Sequence, residues 1–555
     1  MNGKLYLRSH IVVDCQAGGA SFRTLGRIPQ RGGGTFENLP RSDQGQRARL
    51  ETSVRELDPS LELMDYPNAL INKMQLILND SLRFKKEERP DNPVDVEQSV
   101  NRKLQVLLEG NFINEATFKS LRSIETQVPQ LYGFPKLHMP GVPLRPILSM
   151  SNSPQHKAAK WLAKLLKPIL DRIAQFCLKD SFELAGLLET MNIRDKYLCS
   201  FDVESLFTNV LLDECIEFLL SYMRLHHLEV GIPESELEQL LLLCTKNVSF
   251  AFQDSAYRQI DGVAMSSPLG PILADIFIAK LEQQVTERLS SVQLYKRYVD
   301  DILLIAHNQL QAQRLIGHMN SLHPNIHFSM EGENQNSLPF LDICIRRNAD
   351  GSIQRSVHRK STWTGQYLHF ESFVPRSYKQ SLVRTLFDRA RRICTEDTVQ
   401  EEMALLETTL QLNGYPKPFI ARFKQPIDIG IRPDTVSKKP VFLRLPFKGD
   451  DVCQLIHRRL VSSIARTYNA VVPVILFRTF RIPTPCVKQP VPESAKSNLI
   501  CEYRCRCGAS YIGRTERQLR TRVTEYIPNH STAAVVIDDG SVAKLTFDTT
   551  DPDEV

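Results

Sequence analysis

Two adjacent aspartates stand between two short apolar runs near the middle of the chain. Asp300 and Asp301 follow Leu294 and Tyr295 and precede the run ILLIA at 302–306. Apolar runs of strand length that flank a short polar step are typical of two strands joined by a tight turn. The sequence therefore predicts a β-hairpin with two carboxylates at its tip, although an ordinary Asp-rich turn would give the same local pattern.

A third aspartate gives this hairpin a partner. Asp202 ends an apolar run at 197–201 and precedes a turn into a helix near Asp213. Carboxylates at the ends of two neighbouring strands can converge on one point, and Mg²⁺ prefers such oxygen ligands together with phosphate oxygens. Two such ions about 4 Å apart activate an attacking hydroxyl and stabilise the leaving group. We therefore expect Asp202, Asp300 and Asp301 to hold two Mg²⁺ ions, with Mn²⁺ as an alternative.

Composition excludes several classes of protein. The 555 residues are 42% hydrophobic and 24% charged, which excludes wholesale disorder. No apolar run reaches the ~18 residues that span a bilayer, and the first ten residues lack a signal-peptide pattern. Twelve cysteines in such a chain favour reduced thiols. We expect no membrane partner and an intracellular location, in the nucleus, the cytoplasm or both; the net charge of +6 is only a mild lean toward polyanions.

Periodicity gives the fold class. From 197 to 346 strand-like runs alternate with helical patterns, which predicts a core of mixed helix and sheet, α+β or α/β. The clearest single elements are helices over 94–110 (with Asp91 or Asn92 as N-cap), 272–284, 378–394 and 452–465, and a strand over 470–480.

A loop of small residues lies between the two carboxylate segments. Residues 259–271 read QIDGVAMSSPLGP and lead into the helix over 272–284. Small residues let another group approach the backbone closely, so this loop could face a base pair. An ordinary helix entry would explain the same residues.

Taken together, the order and spacing of these segments resemble the palm of reverse transcriptases. Six stretches together resemble Penelope-like retroelement polymerases: YGFPKLH, RPI, SFDVESLFTNV, DGVAM followed by SPLGP, RYVDDILLI and FLDICIRR. The resemblance runs from about residue 60 to residue 525. It implies a right-hand fold of fingers, palm and thumb, of the α+β class, and an RNA-directed DNA polymerase acting on an RNA template, a DNA primer and dNTPs.

The resemblance assigns roles to residues beside the carboxylates. Asp202, Asp300 and Asp301 match the catalytic metal ligands, and the Val203 carbonyl would be a further ligand. Phe207 matches the bulky aromatic that would clash with a ribose 2′-hydroxyl and so select deoxynucleotides; a core aromatic is the alternative.

Four further residues match substrate-facing positions of the family. Lys136 and Arg145 match the fingers positions that contact the triphosphate, although solvated loop charges would look the same. Gln259 and Ser267 match the loop that faces template and nucleotide. Relatives usually carry Gly at the position of Ser266, and we expect the serine side chain to crowd the nascent base pair.

A basic segment follows the palm. Residues 351–400 carry nine Lys/Arg and four Asp/Glu, with Trp363, Tyr367 and Phe370 interleaved. Such a segment would suit a thumb that follows a primer–template backbone by charge neutralisation and stacking. A solvated helix face is the alternative.

The C-terminal region resembles a GIY-YIG endonuclease. Tyr511 matches the YIG tyrosine and Arg522 the catalytic arginine. Cys501 stands where the first catalytic tyrosine belongs, and we expect the nearby Tyr503 to face the other side of its strand. The later glutamate that would bind metal is missing after Glu525, so we predict a truncated nuclease without activity.

Two cysteines in this region invite a zinc site. One residue separates Cys505 from Cys507. This spacing fits no common four-ligand template, so we expect no zinc.

The resemblance divides the chain into seven parts. They are a flexible leader (1–55), a helical N-terminal region (56–129), fingers and palm (130–346), thumb (347–400), connector (401–496), partial GIY-YIG endonuclease (497–530) and acidic tail (531–555). A catalytically decayed retroelement relic that still binds nucleic acid is the alternative function, because Ser266 and Cys501 depart from the family pattern.

Overall fold

The computed structural model describes residues 66–135, 143–253, 255–361, 363–425, 439–468 and 471–479. Near both ends of the chain it also gives the backbone of strands β1 (Gly3–Leu7), β2 (Ile11–Gln16), β3 (Gly19–Thr24), β18 (Leu499–Arg504), β19 (Ser510–Thr515), β20 (Thr532–Asp538) and β21 (Val542–Asp548).

Helices and strands alternate through the rest of the described chain. The helices are α1 (Tyr66–Leu78), α2 (Pro93–Glu109), α3 (Glu115–Leu121), α4 (His156–Ile173), α5 (Ser181–Glu189), α6 (Leu206–Asn209), α7 (Leu212–Leu225), α8 (Glu234–Thr245), α9 (Gly270–Gln284), α10 (Thr286–Ser290), α11 (Gln309–Met319), α12 (Arg376–Ile393), α13 (Glu396–Leu412), α14 (Lys417–Phe423) and α15 (Asp450–Thr467). The strands are β4 (Phe84–Glu87), β5 (Gln130–Pro135), β6 (Leu144–Ser149), β7 (Tyr197–Val203), β8 (Val248–Phe252), β9 (Ser255–Gln259), β10 (Leu294–Tyr298), β11 (Asp301–Ala306), β12 (Phe328–Gly332), β13 (Ser337–Phe340), β14 (Ile343–Arg347), β15 (Ile353–Val357), β16 (Lys439–Pro446) and β17 (Val471–Arg478).

Two sheets form the centre of the fold. The first has the order β10-β11-β7-β12 and is antiparallel throughout. The second has the order β4-β9-β8-β5-β6. Smaller sheets are β13-β14-β15 and the parallel pair β16-β17. At the two ends of the chain the backbone forms the sheets β1-β2-β3 and β19-β18-β21-β20.

Strand β11 is buried on both faces, which explains its unbroken apolar run. Ile302 and Leu304 pack into the large core cluster built with α4, α7, α8 and α9, whereas Leu303 and Ile305 pack into a second cluster with β13 and β14. Successive side chains of a strand point to opposite faces, so a two-sided strand needs an apolar residue at every position. The predicted core of mixed helix and sheet is confirmed.

Several single elements agree with the sequence. Helix α2 begins after Asn92, whose side chain accepts a hydrogen bond from the backbone N–H of Val94, as the N-cap pattern predicts. The helices expected over 272–284, 378–394 and 452–465 correspond to α9, α12 and α15, and the strand expected over 470–480 corresponds to β17.

The helical N-terminal region is not separate from the fingers. Strand β4 lies within 56–129 and pairs with β9 in the second sheet, with Phe84 opposite Gln259. Phe84 is buried there against Phe250. The sequence did not predict β4, because a four-residue strand carries a weak local pattern until its partner strand is known.

The boundary between thumb and connector is also corrected. Helix α13 runs through residue 400, and α12, α13 and α14 share one buried cluster that includes Phe387, Leu406 and Phe419. A cut at 400 would divide that core, so 376–423 is one helical unit.

Both chain ends contain strands where a flexible leader and an acidic tail were expected. β1, β2 and β3 pair as an antiparallel sheet within 1–55, and β20 and β21 pair within 531–555. β-branched residues such as Val12, Val13 and Val535 favour extended backbone.

In the described part of the chain, no helix combines the length and apolarity needed to span a membrane.

Candidate active site

The hairpin of β10 and β11 has a two-residue turn formed by Val299 and Asp300. Tyr298 and Asp301 are the closing pair. Val299 has φ of 58°, in the left-handed region. A β-branched residue rarely adopts that conformation, so the turn is strained and other contacts must hold it.

The turn brings the predicted carboxylates to one edge of the first sheet. β11 and β7 are antiparallel neighbours, and Asp301 lies directly opposite Asp202. The backbone N–H of Val203 donates to the carbonyl of Asp300 at 3.1 Å. Residues opposite each other in such a pair have Cβ atoms about 4.5–5.5 Å apart on the same face. The structure therefore brings together all three aspartates that the sequence singled out.

This arrangement concentrates negative charge. The pKa of Asp301 is raised to about 6, mainly by burial and then by the charges of Asp300 and Asp202. Lys360 and Arg145 act in the opposite direction. A carboxyl group that is hard to ionise beside two others is stabilised by any cation that enters.

The donor set fits hard divalent cations. Carboxylate and backbone carbonyl oxygens are the ligands that Mg²⁺ and Mn²⁺ take in proteins. Within the residues that the structure describes, no group of three or more His, Cys, Asp or Glu side chains could by itself hold a metal ion. An open set of carboxylates that substrate phosphates complete agrees with both observations, because Mg²⁺ in phosphate-handling sites takes few protein ligands.

A buried arginine supports the strained turn from behind. The side chain of Arg297 is fully buried; its Nη1 donates to the carbonyl of Val299 at 3.1 Å and lies 2.6 Å from Oδ1 of Asp275. Its Nε and Nη2 donate to both carboxylate oxygens of Glu282, at 2.7 and 3.1 Å. Asp275 and Glu282 belong to α9, so this helix is tied directly to the turn that carries Asp300.

The Ser266 side chain of the small-residue loop is hydrogen-bonded at the end of β6. Its Oγ donates to the carbonyl of Leu148 on β6 and accepts the backbone N–H of Met150 at 2.9 Å. Two backbone groups at the end of β6 therefore hold this hydroxyl, and whether the side chain crowds a nascent base pair stays a prediction. No pattern within the loop itself could have revealed a partner more than a hundred residues away in the chain.

The two other loop residues are buried. Gln259 is 3% exposed and donates to the carbonyl of Asp261 at 3.2 Å. Ser267 is 4% exposed, and its Oγ accepts the backbone N–H of Leu269 at 3.3 Å, at the start of α9. In this state both side chains stabilise the loop, and their predicted contact with template and nucleotide stays a prediction.

Phe207 lies in the short helix α6, directly after β7. It is half-buried, and its carbonyl accepts the backbone N–H of Val263 at 2.7 Å. Gly262 makes this approach feasible: its φ is 78°, and a Cβ there would lie 2.9 Å from the carbonyl oxygen of Thr208. Glycine is required at such a position, so the loop and the segment after Asp202 are locked together.

The fingers residues have different outcomes. Arg145 is exposed on β6, and its charge acts on Asp301. Lys136 lies outside the described residues.

Lys360 is a site residue that sequence reasoning missed. It is exposed in the segment after β15, and its charge acts on both Asp301 and His358. Its neighbour Arg359 is held by Glu402 of α13, with Nη1 2.7 Å from Oε2. No sequence signal marks Lys360 apart from the eight other basic residues around it.

Most basic residues of the predicted thumb surface have internal partners. Five cations lie over aromatic rings at 3.6–5.4 Å from the ring centroid: Arg359 over Trp363, Arg376 over Phe419, Lys379 over Phe370, Arg384 over Phe423 and Arg392 over Phe182. Phe370 itself packs against Tyr415 at 5.2 Å. These basic residues therefore stabilise the fold through cation–π contacts, a role that the sequence did not predict.

The described C-terminal strands place part of the predicted nuclease. Tyr511 lies on β19, and the backbone register pairs it with Tyr503 of β18. The face that Tyr503 takes in its strand stays a prediction, because the structure gives only the backbone register here. Arg522, Cys505 and Cys507 lie outside the described residues.

Comparisons with known proteins agree with the geometry of the palm. Residues 112–329 match the family model described as Reverse transcriptase (RNA-dependent DNA polymerase). Residues 366–425 match the model described as Animal helix-turn-helix domain, which covers α12, α13 and α14. No curated protein is a significant match.

This chain is similar to several solved polymerases at low identity. Telomerase from Candida albicans in complex with the TWJ fragment of telomeric RNA is 12% identical, with a TM-score of 0.39, over 55% of this chain and 58% of that chain. Apo telomerase from Candida tropicalis is 12% identical, with a TM-score of 0.38, over 65% and 63%. The Sicinivirus 3Dpol RNA-dependent RNA polymerase is 11% identical, with a TM-score of 0.36, over 61% and 71%. The chain thus spans less than two thirds of the length of these telomerase chains.

Proposed function

We propose, from the premise that residues 112–329 form a reverse transcriptase domain, that this chain extends a DNA primer with dNTPs on an RNA template. The observation that carries the proposal is the position of Asp202 directly opposite Asp301, beside Asp300. Three carboxylates gathered at one edge lower the stability of the metal-free fold, since like charges opposite each other destabilise a sheet. Cations bound between these carboxylates would remove the repulsion.

The carboxylates and the Val203 carbonyl would hold two Mg²⁺ ions, or Mn²⁺. Such ions supply activation of the primer 3′-hydroxyl and charge stabilisation at the leaving pyrophosphate. Asp202 and Asp301 fix the positions of this chemistry because both lie on paired strands of a packed sheet. Arg297 preserves the turn that aims Asp300 toward the same point.

Cationic side chains around this edge would receive the triphosphate. Arg145 and Lys360 both act electrostatically on Asp301, from β6 and from the segment after β15. An arginine suits bidentate contact with phosphate, and a lysine provides a point charge. Phe207, close behind Asp202 in the chain, would meet the sugar and exclude a 2′-hydroxyl.

Primer extension tests the proposal. Purified protein, Mg²⁺, a DNA primer on an RNA template and labelled dNTPs should give full-length cDNA. Asp300→Ala should abolish the product, whereas the matched control Asp171→Asn should not, since Asp171 is an exposed residue of α4 that pairs with Lys167. Product at the wild-type level from Asp300→Ala would refute the assignment of the metal ligands.

A decayed protein that only binds nucleic acid is the alternative, for which Ser266, Cys501 and the acidic tail are the reasons. The Ser266 hydroxyl is hydrogen-bonded at the end of β6. An inert wild type and an inert Ser266→Gly variant that both bind RNA with a steep salt dependence would favour the decayed form.

We further propose that the chain derives from a Penelope-like retroelement and acts inside the cell, in the nucleus or the cytoplasm. The motifs RYVDDILLI and FLDICIRR support this lineage.

For the C-terminal region we propose a GIY-YIG remnant without nicking activity. The pairing of Tyr503 with Tyr511 supports the strand arrangement of such a module. Supercoiled DNA should stay intact with the wild-type protein and Mg²⁺. Nicking that Tyr511→Phe removes would contradict the proposed loss of activity.

A further inference from the structure

Residues 439–478 form a β–α–β unit whose sheet has only two strands. β16 and β17 run parallel, with Phe442 opposite Val474 and Arg444 opposite Leu476. α15 connects the strands and packs on β17. A sheet of this kind normally has both faces covered, so the second face needs an explanation.

One face of the pair is partly covered and the other is open. Leu443, Leu445 and Ile475 belong to the first face and are half-buried, whereas Val441 at its start is 40% exposed. The alternate positions belong to the second face, on which Phe442 is 62%, Val472 44% and Leu476 40% exposed. The open sheet face consists of Phe442, Arg444, Val472, Val474, Leu476 and Arg478, with prolines at its ends.

The open sheet face is apolar at one end and cationic at the other. Arg444 and Arg478 lie toward the C-terminal ends of their strands, and both are exposed. In the described part of the chain neither forms an ion pair or a side-chain hydrogen bond. No acidic residue belongs to this face, and residues 439–478 as a whole carry seven Lys/Arg and two Asp/Glu.

This charge pattern argues for a polyanion as the occupant. A second protein surface would have to bring acidic groups to the two arginines, and a second copy of this strongly basic unit would bring more positive charge. A nucleic-acid strand offers phosphates and flat bases together. Single strands are bound by aromatic residues that stack on bases beside cations that contact the backbone.

The unit is attached firmly beside the helical unit 376–423. The rings of Phe373 and Phe447 lie 5.0 Å apart, and the backbone N–H of Arg376 donates to Oδ1 of Asp450 at 3.0 Å. A strand bound on the open sheet face would therefore be held at a fixed distance from α12.

We propose that the open sheet face binds single-stranded nucleic acid, with a base stacked on Phe442 and backbone phosphates at Arg444 and Arg478. A duplex does not suit this surface, because its bases are stacked on each other and not available to Phe442. The site is separate from the polymerase edge at Asp202 and takes a part of the strand that is not being copied.

Binding by the full-length chain tests the site. The polymerase cleft is first saturated with an unlabelled primer–template hairpin, and fluorescein-labelled 12-nucleotide oligo(U), oligo(dT) and a duplex of the same length are then titrated separately. Phe442→Ala should weaken single-strand binding about tenfold, as expected for loss of one stacked base. Phe442→Tyr should retain binding, because the ring is kept.

The arginines have a different expected signature. Arg444→Ala and Arg478→Ala should each lower the slope of log K against log salt by about one, as for one lost phosphate contact. The matched control is Arg458→Ala, an exposed arginine of α15 outside the open sheet face, which should change affinity less than about twofold. A difference between oligo(U) and oligo(dT) would identify RNA or DNA as the preferred strand.

Three outcomes would overturn the proposal: affinity unchanged in Phe442→Ala, preference for the duplex, or dimers of the chain that Phe442→Ala disrupts while leaving strand binding intact. Since Phe442 is largely exposed, its loss should not unfold the unit, and an unchanged melting curve confirms this. The measurement needs no catalysis, so an inactive polymerase would not affect it, and primer extension on the hairpin should be unaltered in Phe442→Ala.

Discussion

Asp202 and Asp301 lie directly opposite each other on paired antiparallel strands, two like charges at one register position. Such a pair destabilises a sheet, and the burial and neighbouring charges that raise the pKa of Asp301 to about 6 have the same effect. The fold maintains this arrangement with the apolar strand β11 behind it and with Arg297 beneath its turn. Bound cations would relieve the repulsion between the two carboxylates, so the same charge pair that destabilises the sheet favours metal binding.

Asp301→Asn should stabilise the metal-free protein. A carboxyl whose pKa rises from 3.8 to about 6 on folding is penalised in the folded state. The penalty is absent below pH 3.8, grows as the pH rises to about 6 and is complete above it. Asn removes it, so the variant should be more stable by roughly 2 kcal/mol at pH 8 and equal to wild type at pH 3.5.

Thermal unfolding in EDTA at several pH values measures this difference. Addition of Mg²⁺ should then raise the unfolding temperature of wild type more than that of Asp301→Asn. A variant that is less stable than wild type at pH 8 would show that the site is not electrostatically strained.

Arg297→Lys should lower the rate of nucleotide addition while leaving primer–template affinity unchanged. Lysine keeps the positive charge, but it cannot reach the Val299 carbonyl and two carboxylates at once. Arg297→Met should be worse, since it leaves Glu282 and Asp275 without their cation, at about 3–5 kcal/mol of stability.

Single-turnover kinetics separate the two effects of Arg297. Lys296→Met, on the neighbouring position of β10, is the matched control and should keep the wild-type rate. If Arg297→Lys shows the wild-type rate, Arg297 is a stabilising residue only and does not position the turn.

Ser266→Gly should not activate the enzyme. The serine hydroxyl bonds the Leu148 carbonyl and the Met150 N–H, so its removal costs about 1 kcal/mol of stability. Ser266→Ala should behave similarly, which separates the hydroxyl from the flexibility of glycine. Primer extension and thermal unfolding measure both; several-fold faster extension by the glycine variant would support the view that Ser266 crowds the base pair.

Phe207→Ala should admit ribonucleotides. Phe207 lies on α6, shortly after Asp202 in the chain, and its ring is half-buried. The alanine side chain would no longer exclude a 2′-hydroxyl. Incorporation of rNTPs relative to dNTPs should rise at least tenfold, because the free-energy difference that disfavours rNTPs falls by a few kcal/mol. Phe207→Tyr retains the bulk and should keep the selectivity. An unchanged ratio in Phe207→Ala would mean that the ring is simply part of the core.

The sequence predicted the local parts of the site well. The hairpin tip, the strand that carries Asp202 and the helix caps depend on neighbouring residues, and a local pattern records them. Interactions between distant segments could not be predicted: the hydrogen bonds of Ser266 at β6, the electrostatic effect of Lys360 on Asp301, and the pairing of β4 with β9. Arg297 had one signal, a charge inside an apolar strand, but its partners on α9 are known only from the fold.

The number of basic residues in a segment was the least reliable predictor of a nucleic-acid surface. The nine basic residues of 351–400 suggested one nucleic-acid surface, yet several lie over aromatic rings of the same unit. A sequence shows how many cations a segment has, but cation–π partners come from tertiary packing.

The most direct test of the central claim is the single-turnover rate of Asp202→Asn and Asp301→Asn, measured with primer–template and dNTP saturating and Mg²⁺ varied. Each substitution removes an oxygen ligand's charge and preserves its shape. We predict that both rates fall by about a thousandfold or more, as expected for several kcal/mol of lost metal-ion stabilisation, with unchanged primer–template affinity. A rate within tenfold of wild type in either variant would contradict the assignment of these two opposed aspartates as the catalytic metal ligands.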